Sequence, residues 1–145
     1  MDRLRDKIIL ITGAAGAVGR AVAKAVKAER GVAITTDLPG RRDVGHRLDV
    51  TSELDWLRVI ADVGRLHGRL DGLVNAAGIA EFGNIEDTEF DSWRKVMSVN
   101  LDGTFLGCKH GLALLKLHGG SIVNVSSVSG LIGGHNLAAY NASKG

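Results

Sequence analysis

The chain has 145 residues, 45% of them hydrophobic, with a formal net charge of +2. That length suits one domain with its own core, and so small a charge, without a basic tract or an aromatic stacking platform, excludes a nucleic-acid surface. No apolar run approaches membrane-spanning length, the opening Met1-Asp-Arg-Leu-Arg-Asp6 lacks signal-peptide character, and the single Cys108 forbids an internal disulfide and fits a reducing, cytoplasmic setting.

Residues 7–11 (KIILI) are an apolar run of strand length. Thr12-Gly-Ala-Ala-Gly16-Ala-Val-Gly19 follows at once, and an Ala-rich helical stretch begins at Arg20. Strand, glycine turn and helix in that order make an anion site. Gly13 permits the tight turn, Gly16 lets backbone approach a pyrophosphate, Gly19 lets the helix lie close, and the helix N-terminus offers free N–H groups. Gly31 ends the helix and residues 32–36 read as a buried strand. Asp37 then stands where a carboxylate meets an adenosine ribose. It would accept from a 2′-hydroxyl and repel a 2′-phosphate, which favours NAD(H) over NADP(H). Arg41 and Arg42 pull the other way, and Leu38-Pro39-Gly40 gives Asp37 an alternative as a strand-end turn residue.

Residues 44–48 are expected as a third strand leading into Asp49-Val50-Thr51-Ser52. Ser52 or Thr51 caps a helix over 53–67, whose apolar face is read as Leu54, Leu57, Ile60 and Ala61 with Trp56 beside them. Residues 70–74 form a fourth strand ending in Asn75-Ala76-Ala77-Gly78, and 80–88 a polar loop. The pattern predicts one long helix over 91–117, with Gly103 and Gly107 as weak points and Cys108 as a small core residue. Gly119-Gly120 ends it, residues 121–125 are a fifth strand, and a loop over 126–139 leads to Tyr140. Such alternation predicts an α/β fold with a doubly wound parallel sheet. Ligands of these sheets bind outside the carboxyl ends of the strands. The glycine turn, Asp37, Asp49, Asn75 and residues 126–129 all fall at such ends.

Tyr140 and Lys144 are four apart and share one helix face. A neighbouring ammonium favours phenolate, which suits a phenol to proton transfer near neutral pH. The five histidines show no ligand spacing, so no metal site is expected.

Five features occur in order along the whole chain: the turn from Thr12 to Gly19, Asn75-Ala-Ala-Gly78, Asn100 in Val99-Asn-Leu-Asp-Gly-Thr-Phe105, Ser126-Ser127 after a strand, and Tyr140-x-x-x-Lys144. In these the chain resembles the short-chain dehydrogenase/reductase family, in its single-domain dehydrogenase branch. The resemblance implies a Rossmann-type sheet of order 3-2-1-4-5, incomplete at about five strands. Residues 1–145 would then be a dinucleotide-binding domain lacking the family's C-terminal strands and substrate loop. It also implies NAD(H)-dependent interconversion of a secondary alcohol and a ketone. Tyr140 would be the acid/base, Lys144 its electrostatic partner and ribose ligand, Ser127 the hydrogen-bond partner of the substrate oxygen, and Asn100 the anchor of a proton-relay water. The cofactor would meet Gly13, Gly16, Ala17, Val18, Gly19, Asp37, Asp49 and Val50. It would also meet Asn75, Ala76, Ala77 and Gly78, with Tyr140 and Lys144 at the nicotinamide end. The implied partners are a small alcohol or ketone and, for a full-length form, a homo-oligomer.

Three departures stand beside the likeness. The middle glycine comes one place early, leaving Ala17 where the branch has glycine, a spacing shared with the extended epimerase and dehydratase branch. Ala76 replaces the commoner Asn. The chain stops just past Lys144, so the helix carrying the Tyr–Lys pair is expected to lack rigid support. A dinucleotide-binding fragment without catalysis, or a chain that associates through an exposed fifth strand, are the alternatives. Residues 130–138 (GLIGGHNLA) are mostly small and apolar, which points to a hydrophobic, cyclic or steroid-like alcohol.

Overall fold

The computed structural model describes residues 2–41 and 43–145. In chain order the elements are β1 (Ile8–Ile11), α1 (Ala17–Ala28), β2 (Val32–Asp37), β3 (His46–Arg47), α2 (Glu53–His67), β4 (Gly72–Asn75), α3 (Phe90–Met97), a π-turn (Ser98–Asp102), α4 (Gly103–His118), β5 (Ser121–Asn124), a 3-10 turn (Val128–Gly130) and α5 (Ala138–Lys144). The strands form one five-stranded sheet in the order β3-β2-β1-β4-β5, every neighbouring pair parallel.

Strand β1 shows why its sequence is continuously apolar. Ile8 and Leu10 join one core with Trp56, Val59, Val63, Leu73 and Leu115, while Ile9 and Ile11 join a second with Ala23 and Val26. Both faces of a parallel strand are thus covered, α2 and α4 on one side and α1 on the other. Strand β3 is shorter than expected: residues 46 and 47 pair with Thr36 and Asp37, and Val44 packs against the α1-side core without joining the sheet.

Helix α2 starts and stops as read from the sequence. Ser52 Oγ accepts from Asp55 N at 3.2 Å, and Gly68 closes the far end at φ 69°. Its buried face is the expected one only at Ile60 and Trp56. Trp56, Val59, Ile60 and Val63 point inward, whereas Leu54 is 78% exposed and Leu57 52% exposed, and Ala61 is exposed too. Trp56 settles the rotation, since it is fully buried and its indole N–H donates to Val50 O at 3.0 Å.

The expected long helix over 91–117 runs without interruption from 90 to 118, with a π-turn between its parts α3 and α4. The widened turn comes before Gly103, and the glycines are not weak points. Gly103, Gly107 and Gly111 are buried in α4, where they let the helix approach the sheet. A methyl at Gly107 would overlap Asn75 Oδ1 and lie 2.9 Å from Trp56 Cη2, and one at Gly111 would lie 2.9 Å from Leu73 Cδ2. Cys108 is only half-buried, at the seam where α4 passes Asn75 and Asn124.

At the opposite end of the sheet the buried Asp71 carboxylate ties its own segment to the start of β1. It accepts from Ile8 N at 2.9 Å, from Lys7 Nζ at 3.2 Å and from the Arg69 guanidinium. Burial opposes its ionisation, but the bonds from Arg69, Ile8 and Lys7 outweigh it and hold the carboxyl down at about 2. Among the described residues no helix is long and apolar enough to cross a membrane.

Candidate functional site

The carboxyl ends of the strands gather the predicted residues. Gly13 leaves β1 at φ 62°, and a Cβ there would lie 2.7 Å from Ala77 Cα, so both backbone and space require glycine. The turn is closed by Ala14 N to Thr36 O and Gly16 N to Gly13 O, each at 3.0 Å. Gly19 is the packing glycine, its Cβ position 2.8 Å from Ala14 Cα, whereas Gly16 would meet only Gly13 O at 3.2 Å. Gly16 therefore leaves open the space in front of the turn. Ala17 and Val18 are exposed on the first turn of α1, which carries no side-chain cap. First-turn N–H groups without intrahelical partners are suited to an anion.

Asp37 takes its expected part as a strand-end turn residue and also lines the cleft. Oδ2 accepts from Ala15 N at 2.9 Å and Oδ1 from Leu38 N at 2.8 Å, yet each carboxylate oxygen keeps acceptor capacity. Asp49 Oδ1 is engaged by Thr51 N at 2.9 Å and Thr51 Oγ1 at 2.7 Å. A residue the sequence reading did not assign, Thr12, joins the turn to the 75–78 segment. Its buried Oγ1 accepts from Ala76 N at 3.0 Å and Ala77 N at 3.1 Å. A hydroxyl directly before the first glycine was the only sequence signal for it.

These parts enclose a cleft of about 270 Å³. Its walls include Gly13, Gly16, Asp37, Asp49, Val50, Ala76, Ala77 and Gly78 from the expected set, together with Ala15, Leu38, Arg41, Leu48, Ile79 and Val99. Arg42 lies outside the described residues. Ala17, Val18 and Gly19 sit beside the cleft on α1. Asn75 sits beneath it, its Nδ2 donating to Asn124 Oδ1 at 2.8 Å, while its buried Oδ1 has no partner among the described residues.

The second half of the site is α5, seven residues long. The expected lack of support is not found, because the helix is tied on several sides. Gly83 N donates to Asn136 O at 2.9 Å and Ala138 N to Gly83 O at 3.1 Å. The Asn141 amide pairs with both backbone groups of Gly134, at 3.1 and 2.9 Å. Ser126 Oγ donates to Lys144 O at 3.0 Å, and Lys144 Nζ to Val125 O at 2.9 Å. On the inner side Asn100, buried in the π-turn, accepts from Ile79 N at 2.8 Å and donates to Ile79 O at 2.9 Å and Ser143 Oγ at 2.8 Å. The loop over 80–88 is pinned in turn by Glu81, which accepts from Lys95 at 2.5 Å and from Ser92; the Lys95 ammonium first, then Ser92, hold that carboxyl below its usual range.

Tyr140 is half-buried, with Lys144 Nζ 5.9 Å from its ring centroid. Ser127 is extended and its Oγ accepts from Ser129 N at 3.1 Å, leaving its proton available. Gly78 connects the halves: a Cβ there would lie 3.4 Å from Asn100 Oδ1 and 3.5 Å from Lys144 Nζ, and Gly78 is itself a cleft wall. Among the described residues no group of three or more metal-ligating side chains occurs.

The sequence pattern of the family described as short chain dehydrogenase matches residues 7–145. Trans-4-hydroxycyclohexanecarboxylate dehydrogenase of Sinomonas cyclohexanicum is 37% identical over 99% of this chain and 63% of its own length. The NADP-dependent (R)-specific alcohol dehydrogenase of Lentilactobacillus kefiri is 36% identical, with the same coverage of 99% and 63%. Aldohexose dehydrogenase of Thermoplasma acidophilum, solved ligand-free, matches with a TM-score of 0.87 at 34% identity, over 99% of this chain and 58% of that one. The chain belongs to the short-chain dehydrogenase family, whose members bind nicotinamide dinucleotides, and it spans about three-fifths of the length of these relatives.

Proposed function

We propose that the protein is an NAD(H)-dependent oxidoreductase that interconverts a secondary alcohol and a ketone. The observation that carries this reading is the position of Gly78, at once a wall of the cleft and the neighbour of the Lys144 ammonium. A dinucleotide held in the cleft leads from there to Tyr140. The donors and walls fit such a group: open space before Gly16, uncapped N–H groups on α1, and a carboxylate at Asp37. When bound, the nicotinamide supplies the hydride chemistry.

The remaining work belongs to this chain. The Tyr140 hydroxyl takes the proton of the alcohol, or returns one to the ketone oxygen. Lys144 supplies the positive charge beside it, and Ser127, with a free proton, hydrogen-bonds the substrate oxygen. The Asn100 amide is spent on Ile79 and Ser143, so a relay water at this residue would rest on its main-chain carbonyl, which also accepts from Thr104 Oγ1 at 2.7 Å. Asp37 favours NAD(H) over NADP(H), with Arg41 in the same wall as the opposing charge. Cyclic alcohols are the first substrates to try, given the small apolar run at 130–138 and the cyclohexane-ring substrate named for the Sinomonas relative.

The test is the rate of NADH formation by the full gene product with a panel of cyclic and linear secondary alcohols. Turnover that vanishes in Tyr140→Phe is expected, and no turnover on any alcohol with either NAD or NADP would overturn the reading. Because all the cleft walls lie between residues 13 and 99, the 145-residue chain is itself a dinucleotide-binding domain in this reading. Calorimetry with NAD and ADP-ribose tests that separately, and a folded chain that binds neither refutes it.

A further inference from the structure

The proton-transfer reading leaves one buried hydroxyl of the same helix without a role. Ser143 precedes Lys144 and faces inward, only 8% exposed. Its Oγ accepts from Asn100 Nδ2 at 2.8 Å and donates to Tyr140 O at 2.8 Å. Asn100 in turn holds both backbone groups of Ile79, and Ile79 is a wall of the cleft. A continuous hydrogen-bonded line therefore runs from the cleft wall through Asn100 and Ser143 to the main chain of Tyr140.

We infer that Ser143 is a positioning residue, acting through Asn100 and the Tyr140 carbonyl to fix the height and rotation of α5 against the π-turn. This rests on the assignment of Tyr140 as the acid/base. Three observations support it. The hydroxyl's one proton goes to Tyr140 O while Asn100 Nδ2 donates to its oxygen, so its direction is determined. Among the described residues, the other side-chain ties of α5 (Ser126, Asn141 and Lys144) lead to residues between 125 and 134, in the loop after β5. Among the described residues of α5, Ser143 alone makes a side-chain bond to the α3–α4 body. Asn100 Nδ2, finally, would lose a buried acceptor in Ser143→Ala, so Asn100 could meet its bonding needs only by moving away from its present seat.

Small displacements are enough, because a shift of about 1 Å in a reacting group costs up to about 10²-fold in rate. Ser143 itself is not a cleft wall, so the loss should appear in kcat and spare the KM for the dinucleotide.

The experiment uses the full gene product with wild-type, Ser143→Ala, Ser143→Thr, Asn100→Ala and the Asn100→Ala/Ser143→Ala double variant, each first checked for a cooperative thermal transition. The expected result is a kcat at least tenfold lower in Ser143→Ala, with the KM for NAD within threefold of wild type. Ser143→Thr, which keeps the hydroxyl, should recover most of the rate. Ser143→Ala should add less than twofold to the loss already caused by Asn100→Ala, as expected for residues acting in one line. An unchanged kcat in folded Ser143→Ala, a loss that Ser143→Thr does not repair, or full additivity with Asn100→Ala would each overturn the inference. If the wild type turns over no alcohol, the functional reading has failed, and the inference is then judged on structure alone. The 145-residue chain has one tyrosine, so a carbon-13 tyrosine label gives a single ring signal. Ser143→Ala should shift or broaden it and Ser143→Thr should not. A ring signal unchanged in Ser143→Ala would refute the positioning role.

Discussion

The two halves of the site are held together by different bonds. Around the glycine turn main chain meets main chain, as in Thr12 N to Val74 O, Ala14 N to Thr36 O and Gly16 N to Gly13 O, with side chains added by Thr12, Arg20, Thr36 and Asp37. Around α5 the ties are mostly side chain to main chain, from Asn100, Ser126, Asn141, Ser143 and Lys144. Backbone bonding needs no particular side chain beyond glycine where space or φ demands it. The α5 half therefore depends on several individual residues, and the glycine-turn half mainly on the shape of one loop.

The largest effect should come from removing the group proposed to transfer the substrate's proton. Tyr140→Phe is expected to lower kcat by about 10²- to 10⁴-fold while leaving NAD affinity, read by calorimetry, within about threefold. A parallel loss of affinity would show that the halves are not separable.

Next comes the scaffold both halves share. Gly107→Val puts a branched side chain where even a methyl overlaps Asn75 Oδ1. Overpacking of this kind costs about 3 kcal/mol, visible as a lower urea midpoint. Acid titration of that scaffold should give a slightly smaller effect. The Asp71 carboxyl titrates at about 2 in the folded chain, below its ordinary value near 3.9. The stabilisation is therefore complete above about pH 4 and lost as pH falls towards 2, amounting to about 2 kcal/mol. Urea midpoints measured from pH 5 to pH 2 should show that slope, and Asp71→Asn should flatten it.

Asp37→Ala sharpens the contrast within the nucleotide half. Because Asp37 both holds Ala15 N and faces the cleft, NAD affinity should fall about tenfold, or about 1.4 kcal/mol. NADP affinity should fall less, so the ratio of the two dissociation constants moves towards NADP. The smallest effect belongs to Leu54→Ser on the exposed side of α2, within about 0.5 kcal/mol of wild type. A loss comparable to that from the buried Val59→Ala would contradict the rotation of this helix.

The same contrast explains what could be read from the sequence. Strand and helix order, the glycine turn, Asp37 and the Tyr140–Lys144 pair are local patterns, each set by a few neighbouring residues. Helix α2 was legible in its ends but not in its rotation, because two stripes satisfy the helical period: Leu54, Leu57 and Ala61 on one side, Trp56, Val59, Ile60 and Val63 on the other. Only the contact of Trp56 with Val50 O decides between them. The joints made by Thr12 and Ser143 were not legible. Their partners lie 64 and 43 residues away in sequence, and a lone hydroxyl gives no sign of such a partner. For the same reason the support of α5 was underestimated when judged by helix length alone.

The π-turn works as a phase correction between the two helices it joins. Each residue of a helix turns the chain by about 100°, so one residue more or less between Met97 and Gly103 resets which side of everything downstream meets the sheet. Deleting one residue there, with α3 kept in place, would bring Thr104, Cys108 and Leu112 to the positions now occupied by Gly103, Gly107 and Gly111. Asn100, Gly103, Gly107 and Gly111, spaced three, four and four apart, stay on one helix face only while that count is kept.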